Sequence, residues 1–230
     1  MAGHAKFDSG LSDAAWLIRN LLHRATHALA TPRYAIVPGY RHRPDPIYFD
    51  DTGFTDEWQR EVYQFAADLM AAESLKTVYD VGCGSGFKLV KYLGGYDTTG
   101  FDVEPTVTFL RRKYPDRKWA ECNFHDRSLA PADLVVCGDV IEHVADPDEL
   151  LDFLERIASA RIVISTPDRA LLYPKSSPLY YGPPQNPHHL REWNFSEFNR
   201  YIARRFSVVH HLVTNRVQAT QMILCVPRSG

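Results

Sequence analysis

Apolar residues recur along the chain with two different periods, and the switch between them divides it. Over the first thirty positions Trp16, Leu17, Leu21, Leu22 and Leu29 fall on one side of a 3.6-residue repeat. This predicts a helix over Leu11–Ala30, opened at Ser12-Asp13 and stopped by Thr31-Pro32. A loop rich in Pro, Arg and Tyr follows from Tyr34 to Thr52. A second helix is expected from Asp56 to about Ala72, opened by Thr55 with Asp56 and Glu57 in its first turn.

From Thr77 the pattern changes to short apolar runs separated by helical stretches. Strands are predicted at 77–82, 98–103, 118–123, 132–138 and 160–166, with helices near 86–93 and 105–114. Another helix begins at Asp146-Pro-Asp-Glu149, where Asp caps, Pro takes the first turn and Glu closes a capping box. The segment 167–193 reads as irregular, broken by prolines at 174, 178, 183, 184 and 187. Asn194-Phe-Ser-Glu197 starts a further helix to about Phe206, and the runs Val208–Thr214 and Thr220–Val226 form a terminal antiparallel hairpin. Alternation of strand and helix at this spacing gives an α/β fold, a doubly wound and mostly parallel sheet covered on both faces. Residues 1–72 are read as an N-terminal helical and loop cap and 73–230 as the core, with 167–193 inserted on the substrate side, all within one compact unit.

Composition narrows this little further. At 230 residues, with 45% hydrophobic and 23% charged, the chain is an ordinary globular enzyme by composition. Its formal net charge of −2 lacks the basic surplus that broad contact with nucleic acid requires, which counts against a nucleic-acid partner. Cys83, Cys122, Cys137 and Cys225 form no C-x-x-C pair and read as reduced, apolar thiols. Met1-Ala-Gly-His-Ala-Lys-Phe-Asp-Ser9 does not resemble a signal peptide, and no apolar run reaches bilayer-spanning length, so the cytoplasm is the expected compartment. Nothing in the chain predicts an oligomeric state.

The strongest motif is Val78-Tyr-Asp-Val-Gly-Cys-Gly-Ser-Gly86. A strand runs into glycines at alternate positions, Gly82, Gly84 and Gly86, and then into a helix, so the backbone can turn sharply around Cys83 and approach a ligand. A nicotinamide dinucleotide is the rival ligand, but its fingerprint is G-x-G-x-x-G, and here the third glycine comes one residue early. Asp80, two residues before the first glycine, would also repel a pyrophosphate, whereas it suits the ammonium and sulfonium of S-adenosylmethionine. Gly100-Phe-Asp102-Val103 ends the second strand and places Asp102 to accept from both ribose hydroxyls, with Glu104 as the alternative. Cys122-Asn123-Phe124 ends the third, where Phe124 can pack on an adenine and Asn123 can bond its edge.

In this order of residues the chain resembles the class I, Rossmann-like S-adenosylmethionine-dependent methyltransferases, over about residues 75 to 227. The resemblance implies a seven-stranded sheet with an antiparallel last strand. It also implies cofactor contacts from Asp80, Gly82, Cys83, Gly84, Gly86, Asp102, Val103, Asn123, Phe124 and Asp139. Many relatives carry Asp where this chain has Asn123.

A second constellation is Asp139-Val-Ile-Glu142-His143. If it opens a helical turn, Asp139, Glu142 and His143 share one face. Pro187-His-His-Leu-Arg-Glu-Trp193 brings His188 and His189 from the insertion. The Glu-His pair resembles ubiquinone-biosynthesis O-methyltransferases, and its combination with a later His-x-x-Glu-Trp resembles small-RNA terminal 2′-O-methyltransferases. Those families imply a divalent cation beside the accepting oxygen, held here by Asp139, Glu142, His143 and His189. Without a cation, His143 or His189 would act as base, supported by Glu142, and purely structural roles stay open. Two carboxylates with two imidazoles suit Mg²⁺, Mn²⁺, Fe²⁺ or Zn²⁺ alike.

The acceptor is expected to be a hydroxyl, because a hydroxyl must lose a proton and these groups can receive it. Tyr34, Tyr40, Tyr48, Tyr173, Tyr180 and Tyr181, with Arg33, Arg41, Arg43 and Arg191, fit stacking on a ring and pairing with an anion. The 165–193 run also loosely resembles bacterial methyltransferases that accompany glycosyltransferases. A glycan, glycolipid or small metabolite is therefore the leading acceptor. The alternatives are a 3′-terminal ribose of RNA and an inactive cofactor-binding scaffold.

Overall fold

A computed structural model describes residues 33–228, so the helix expected over Leu11–Ala30 lies outside the described residues. In chain order the elements are α1 (Arg60–Ala72), β1 (Thr77–Val81), α2 (Phe87–Leu93), β2 (Asp97–Asp102), α3 (Thr106–Lys113), β3 (Lys118–Glu121) and β4 (Ala132–Gly138). They continue with α4 (Pro147–Ile157), β5 (Ala158–Pro167), α5 (Arg169–Leu172), a 3₁₀ turn (Pro178–Tyr181), α6 (Phe195–Ile202), β6 (Ser207–Asn215) and β7 (Thr220–Val226).

The seven strands lie in the order β3-β2-β1-β4-β5-β7-β6. β1 to β5 are mutually parallel, and β7 runs antiparallel to both β5 and β6. This is the doubly wound α/β sheet with an inserted antiparallel strand that the alternation and the terminal hairpin predict. The order reverses between β1 and β4, and their carboxyl ends flank the crevice where such sheets bind ligands.

The two-residue period of the strands fills both faces. Val135, Cys137, Ile162, Ile164, Ile223 and Cys225 meet α4 and α6, while Leu134, Val136, Val163, Met222 and Leu224 meet α1, α2 and α3. The face of α1 made by Val62, Tyr63, Ala66 and Met70 is buried against this second layer.

Two starts differ from expectation. α1 begins at Arg60 rather than Asp56, because its acids are engaged elsewhere. Glu57 folds back to accept from the Thr55 amide at 2.7 Å and hydroxyl at 2.8 Å, and Asp56 reaches α2, where it pairs with Lys91 and accepts from Tyr92 at 2.9 Å. At α4, Asp146 caps by accepting from the Asp148 amide at 3.0 Å; the full reciprocal box is formed at α6 by Asn194 and Glu197. The irregular segment holds two short pieces of helix, α5 capped by Asp168 and the 3₁₀ turn capped by Ser177. Among the described residues no helix is long and apolar enough to cross a membrane.

Candidate functional site

The glycine loop leaves β1 with all three expected glycines in the left-handed region, Gly82 at φ 74°, Gly84 at 52° and Gly86 at 68°. A Cβ on Gly82 would come 2.2 Å from a Val140 methyl, so glycine is needed there for space as well as for conformation. The carbonyl of Phe101 accepts from the amides of Gly82 and Cys83 at 2.8 and 3.1 Å, which seats the loop on β2. Asp102 Oδ2 accepts from the Gly84 amide at 2.7 Å and Oδ1 from Val103 at 2.8 Å, leaving each oxygen capacity for a further donor such as a hydroxyl.

Asp80 is fully buried, and the Tyr63 hydroxyl donates to both of its oxygens at 3.0 Å. Burial pushes its pKa from 3.8 up to about 7, against the opposing bond from Tyr63. Asp51, from the loop before α1, lays its carboxylate against Gly84, and burial with nearby Asp102 raises it to about 6. Asp102 and Asp139 are raised as well, chiefly by burial. Four carboxylates thus crowd the end of β1, with Lys88 the cation that acts on Asp51, Asp80 and Asp139. Such a cluster repels a pyrophosphate and favours a cationic ligand.

This crowding has a sign. A carboxyl whose pKa is raised on folding adds stability that is fully present below its unfolded value and is lost as pH rises through the folded one. For Asp51 and Asp80 that loss falls between about pH 4 and 7. The melting temperature of the ligand-free protein is expected to fall from about pH 5 to pH 8 more steeply than that of Asp80→Asn, while stabilisation by a cationic ligand grows over the same range. Equal slopes for the two proteins would contradict the arrangement, and calorimetric scans at several pH values would measure them.

The remaining residues expected at the cofactor lie in the loop after β1 and at the ends of β2 and β3. Val103 is exposed, and Cys83 is buried with its thiol pushed well up by desolvation, hence unreactive. Asn123 Oδ1 accepts from the His125 amide at 3.0 Å in a tight turn, and Phe124 packs on Phe153 at 5.5 Å between ring centres.

After β4 the chain does not open a helix. Asp139 is left-handed at φ 54°, and residues 141–145 form a turn, so the expected single helical face is absent. Asp139 accepts from Ser165 Oγ at 2.5 Å and Gln59 Nε2 at 2.8 Å. The turn does bring together the other three residues: one donor atom each from Glu142, His143 and His189 lies within 4.8 Å of the others, and Asp139 is not among them. Glu142 Oε2 accepts from Thr166 at 3.0 Å, while Oε1 is buried without a partner. Burial and Asp139 raise the Glu142 pKa well above its ordinary value. Nδ1 of His143 lies 2.9 Å from the His188 carbonyl, so that nitrogen carries the proton and Nε2 keeps its lone pair. Burial lowers the His143 pKa to about 4, which holds the ring neutral. A buried, unpartnered carboxylate oxygen beside the neutral His143 ring and the His189 ring is a donor set that fits a divalent cation.

The insertion closes over this group from one side. The Leu190 amide donates to the Glu142 carbonyl at 2.8 Å, and Phe49 lies parallel to His143 with ring centres 6.2 Å apart. The arginines expected to meet an anion are otherwise employed. Arg41 and Arg43 bond the carbonyls of Gly182 and Pro184, Arg191 those of Val144 and Ala145, and Arg33 pairs with Asp146. Tyr40 and Tyr180 are buried against Arg169, whereas Tyr48 stays half exposed and bonds Thr106 at 3.0 Å. Sequence reasoning missed Asp51, Gln59 and Tyr63, whose partners lie in other elements and carry no local signal.

A family described as "Methyltransferase domain" matches residues 54–211. A curated relative, a small RNA 2′-O-methyltransferase of Rattus norvegicus, is 26% identical over 180 residues, which are 63% of this chain and 42% of the relative. The chain therefore spans less than half of that relative's length. Among solved structures, the methyltransferase domain of bacterial CtHen1-C superposes with a TM-score of 0.57 at 18% identity, covering 74% of this chain and 99% of that one. Magnesium protoporphyrin IX methyltransferase from Synechocystis PCC 6803, solved with bound S-adenosylhomocysteine, gives 0.57 at 16% identity, covering 93% and 99%.

Proposed function

The chain belongs to the methyltransferase-domain family and is an S-adenosylmethionine-dependent methyltransferase, and from that premise we propose that it methylates a hydroxyl oxygen beside a divalent cation held by Glu142, His143 and His189. The observation that carries this reading is the convergence of these three donors with Glu142 Oε1 buried and unpartnered. A divalent cation held there would lower the pKa of a bound hydroxyl and make it a better nucleophile.

The chain's own residues do the rest. The glycine loop, Asp80 and Asp102 hold the donor, whose sulfonium and ammonium complement the carboxylates around them. Methyl transfer is an in-line displacement at carbon, so its rate depends on fixing nucleophile and leaving sulfur on one axis and on keeping water out. Phe49, stacked over His143, and the insertion anchored at Glu142 supply that cover.

The acceptor we favour is a hydroxyl on a glycan, glycolipid or small metabolite. Arg33, Arg41, Arg43 and Arg191 are occupied by carbonyls and a carboxylate, which leaves them poorly placed for a phosphate chain. A 3′-terminal RNA ribose is the second reading, favoured by the likeness to the rat small RNA enzyme. Both acceptors offer the same chemistry, a hydroxyl that must lose its proton. Methyl transfer from labelled donor to sugars, catechols and short RNAs, with and without a chelator, tests the proposal. Transfer to a sugar or metabolite that a chelator abolishes and Mg²⁺ or Mn²⁺ restores is the expected result. Preference for RNA ending in an intact ribose would move the acceptor to the second reading. Full turnover in a metal-free preparation would remove the cation, and donor binding with no transfer to any acceptor would point to a scaffold.

A further inference from the structure

Glu192 is almost wholly buried in the insertion, three residues after His189, and its Oε1 lies 2.8 Å from His189 Nδ1. Its other oxygen, Oε2, is buried without a partner. The buried arginine nearby does not neutralise it. Arg169 gives one nitrogen to the Glu192 backbone carbonyl at 2.5 Å and another to both oxygens of Glu197 at 2.9 and 2.7 Å. Tyr40 meets the Glu192 amide at 2.9 Å, so the backbone is clamped on both sides while the carboxylate is left to the histidine.

The tautomer of His189 follows from its neighbours. Asn186 Oδ1 accepts from the His188 amide at 3.0 Å, which turns the Asn186 NH₂ toward His189 Nε2 at 2.9 Å. An amide NH₂ can only donate, so Nε2 is the acceptor and Nδ1 carries the proton that Glu192 receives. A glutamine would make the same single hydrogen bond without burying a charge, so hydrogen bonding alone does not account for a carboxylate here. What a carboxylate adds is electron density at the far nitrogen and a fixed ring plane, the two properties a metal-ligating imidazole needs from its outer partner.

Building on the cation reading above, we propose that Glu192 is a positioning residue that holds His189 in the Nδ1–H tautomer, so that Nε2, whose lone pair here receives the Asn186 NH₂, is the nitrogen a cation would take over from Asn186 to complete the group with Glu142 and His143. It acts through His189 and touches neither methyl donor nor acceptor.

The test titrates Mn²⁺ into the full chain, reading free ion by electron paramagnetic resonance, with S-adenosylmethionine affinity measured in parallel. Glu192→Gln is expected to weaken Mn²⁺ binding by about 10–100-fold with cofactor affinity unchanged. A purely structural Glu192 predicts the reverse, Mn²⁺ affinity equal to wild type, and that result overturns the inference. Should Glu192→Gln lose the cofactor as well, Glu192→Asp takes its place, since it keeps the charge but falls short of Nδ1. About a tenfold or greater loss of Mn²⁺ affinity then supports the role, and no loss overturns it. If the wild-type chain itself binds no Mn²⁺, it is the cation reading that fails, and the inference with it.

Discussion

His143→Ala and His189→Ala are each expected to lower methyl transfer by about 10²–10⁴-fold while leaving S-adenosylmethionine affinity unchanged. The separation follows from geometry. The two rings stand edge to face with centres 4.8 Å apart, while the glycine loop's own bonds run to Phe101 and Asp102. If the pair acts through one cation, the double variant is expected to be little worse than either single one, because groups acting as a unit are not additive. Glu142→Gln should then be nearly as damaging, since it removes charge from the donor set while keeping shape. The metal-free alternative predicts a different pattern: one histidine dominates and Glu142→Gln is mild. His143, held neutral with its pKa near 4, is poorly matched to take a proton near neutral pH, so under that alternative the loss should concentrate at His189. Single-turnover rates and cofactor titrations on the four variants separate the two cases.

Arg169→Met is expected to destabilise the fold by about 3–5 kcal/mol, a large share of the 5–15 kcal/mol that ordinarily holds a domain together. Arg169 and Glu197 are both buried and joined by two bonds. Glu197 also accepts from the Val37 amide at 2.8 Å and the Asn194 amide at 3.0 Å, and the Arg169 guanidinium lies 4.6 Å from the ring centres of both Tyr40 and Tyr180. Removing the arginine leaves a carboxylate buried without its cation, the costly case for an ion pair. Removing both charges avoids that, so Arg169→Met/Glu197→Gln should recover part of the loss. Urea denaturation of wild type, single and double variants would measure it, and a single variant within about 1 kcal/mol of wild type would contradict the argument.

The sequence reports local rules well and distant partnerships poorly. The strands themselves and the glycine loop were legible because both rest on short-range signals, apolar alternation and glycines where the backbone must turn left-handed. The trio was half legible: Glu142, His143 and His189 come together as their types suggest, but the helical turn meant to bring Asp139 with them is absent. Nothing in Asp139-Val-Ile-Glu142 announces that Ser165 and Gln59, from β5 and the approach to α1, would claim that carboxylate. The start of α1 was misplaced for the same reason, as Asp56 serves Lys91 and Tyr92 across thirty-five positions rather than its own helix. Arg41 and Arg43 read as anion ligands by type and turn out to stitch two loops together through carbonyls.

The late position of β7 in the chain bears on how the molecule matures as it is synthesised. The strands β1, β2 and β3 pair only with neighbours made before residue 140, so this part of the donor side can take shape early. The half that carries His189 cannot. Gln221 of β7 donates to the carbonyls of Pro167 and Trp193 at 3.2 and 3.1 Å, and the Asp168 amide donates to Ala219 at 2.6 Å, so both ends of the insertion are moored to residues made some thirty to fifty positions later. A nascent chain halted at about residue 215 would thus leave both ends of the insertion unmoored, with the open edge of β5 awaiting its partner.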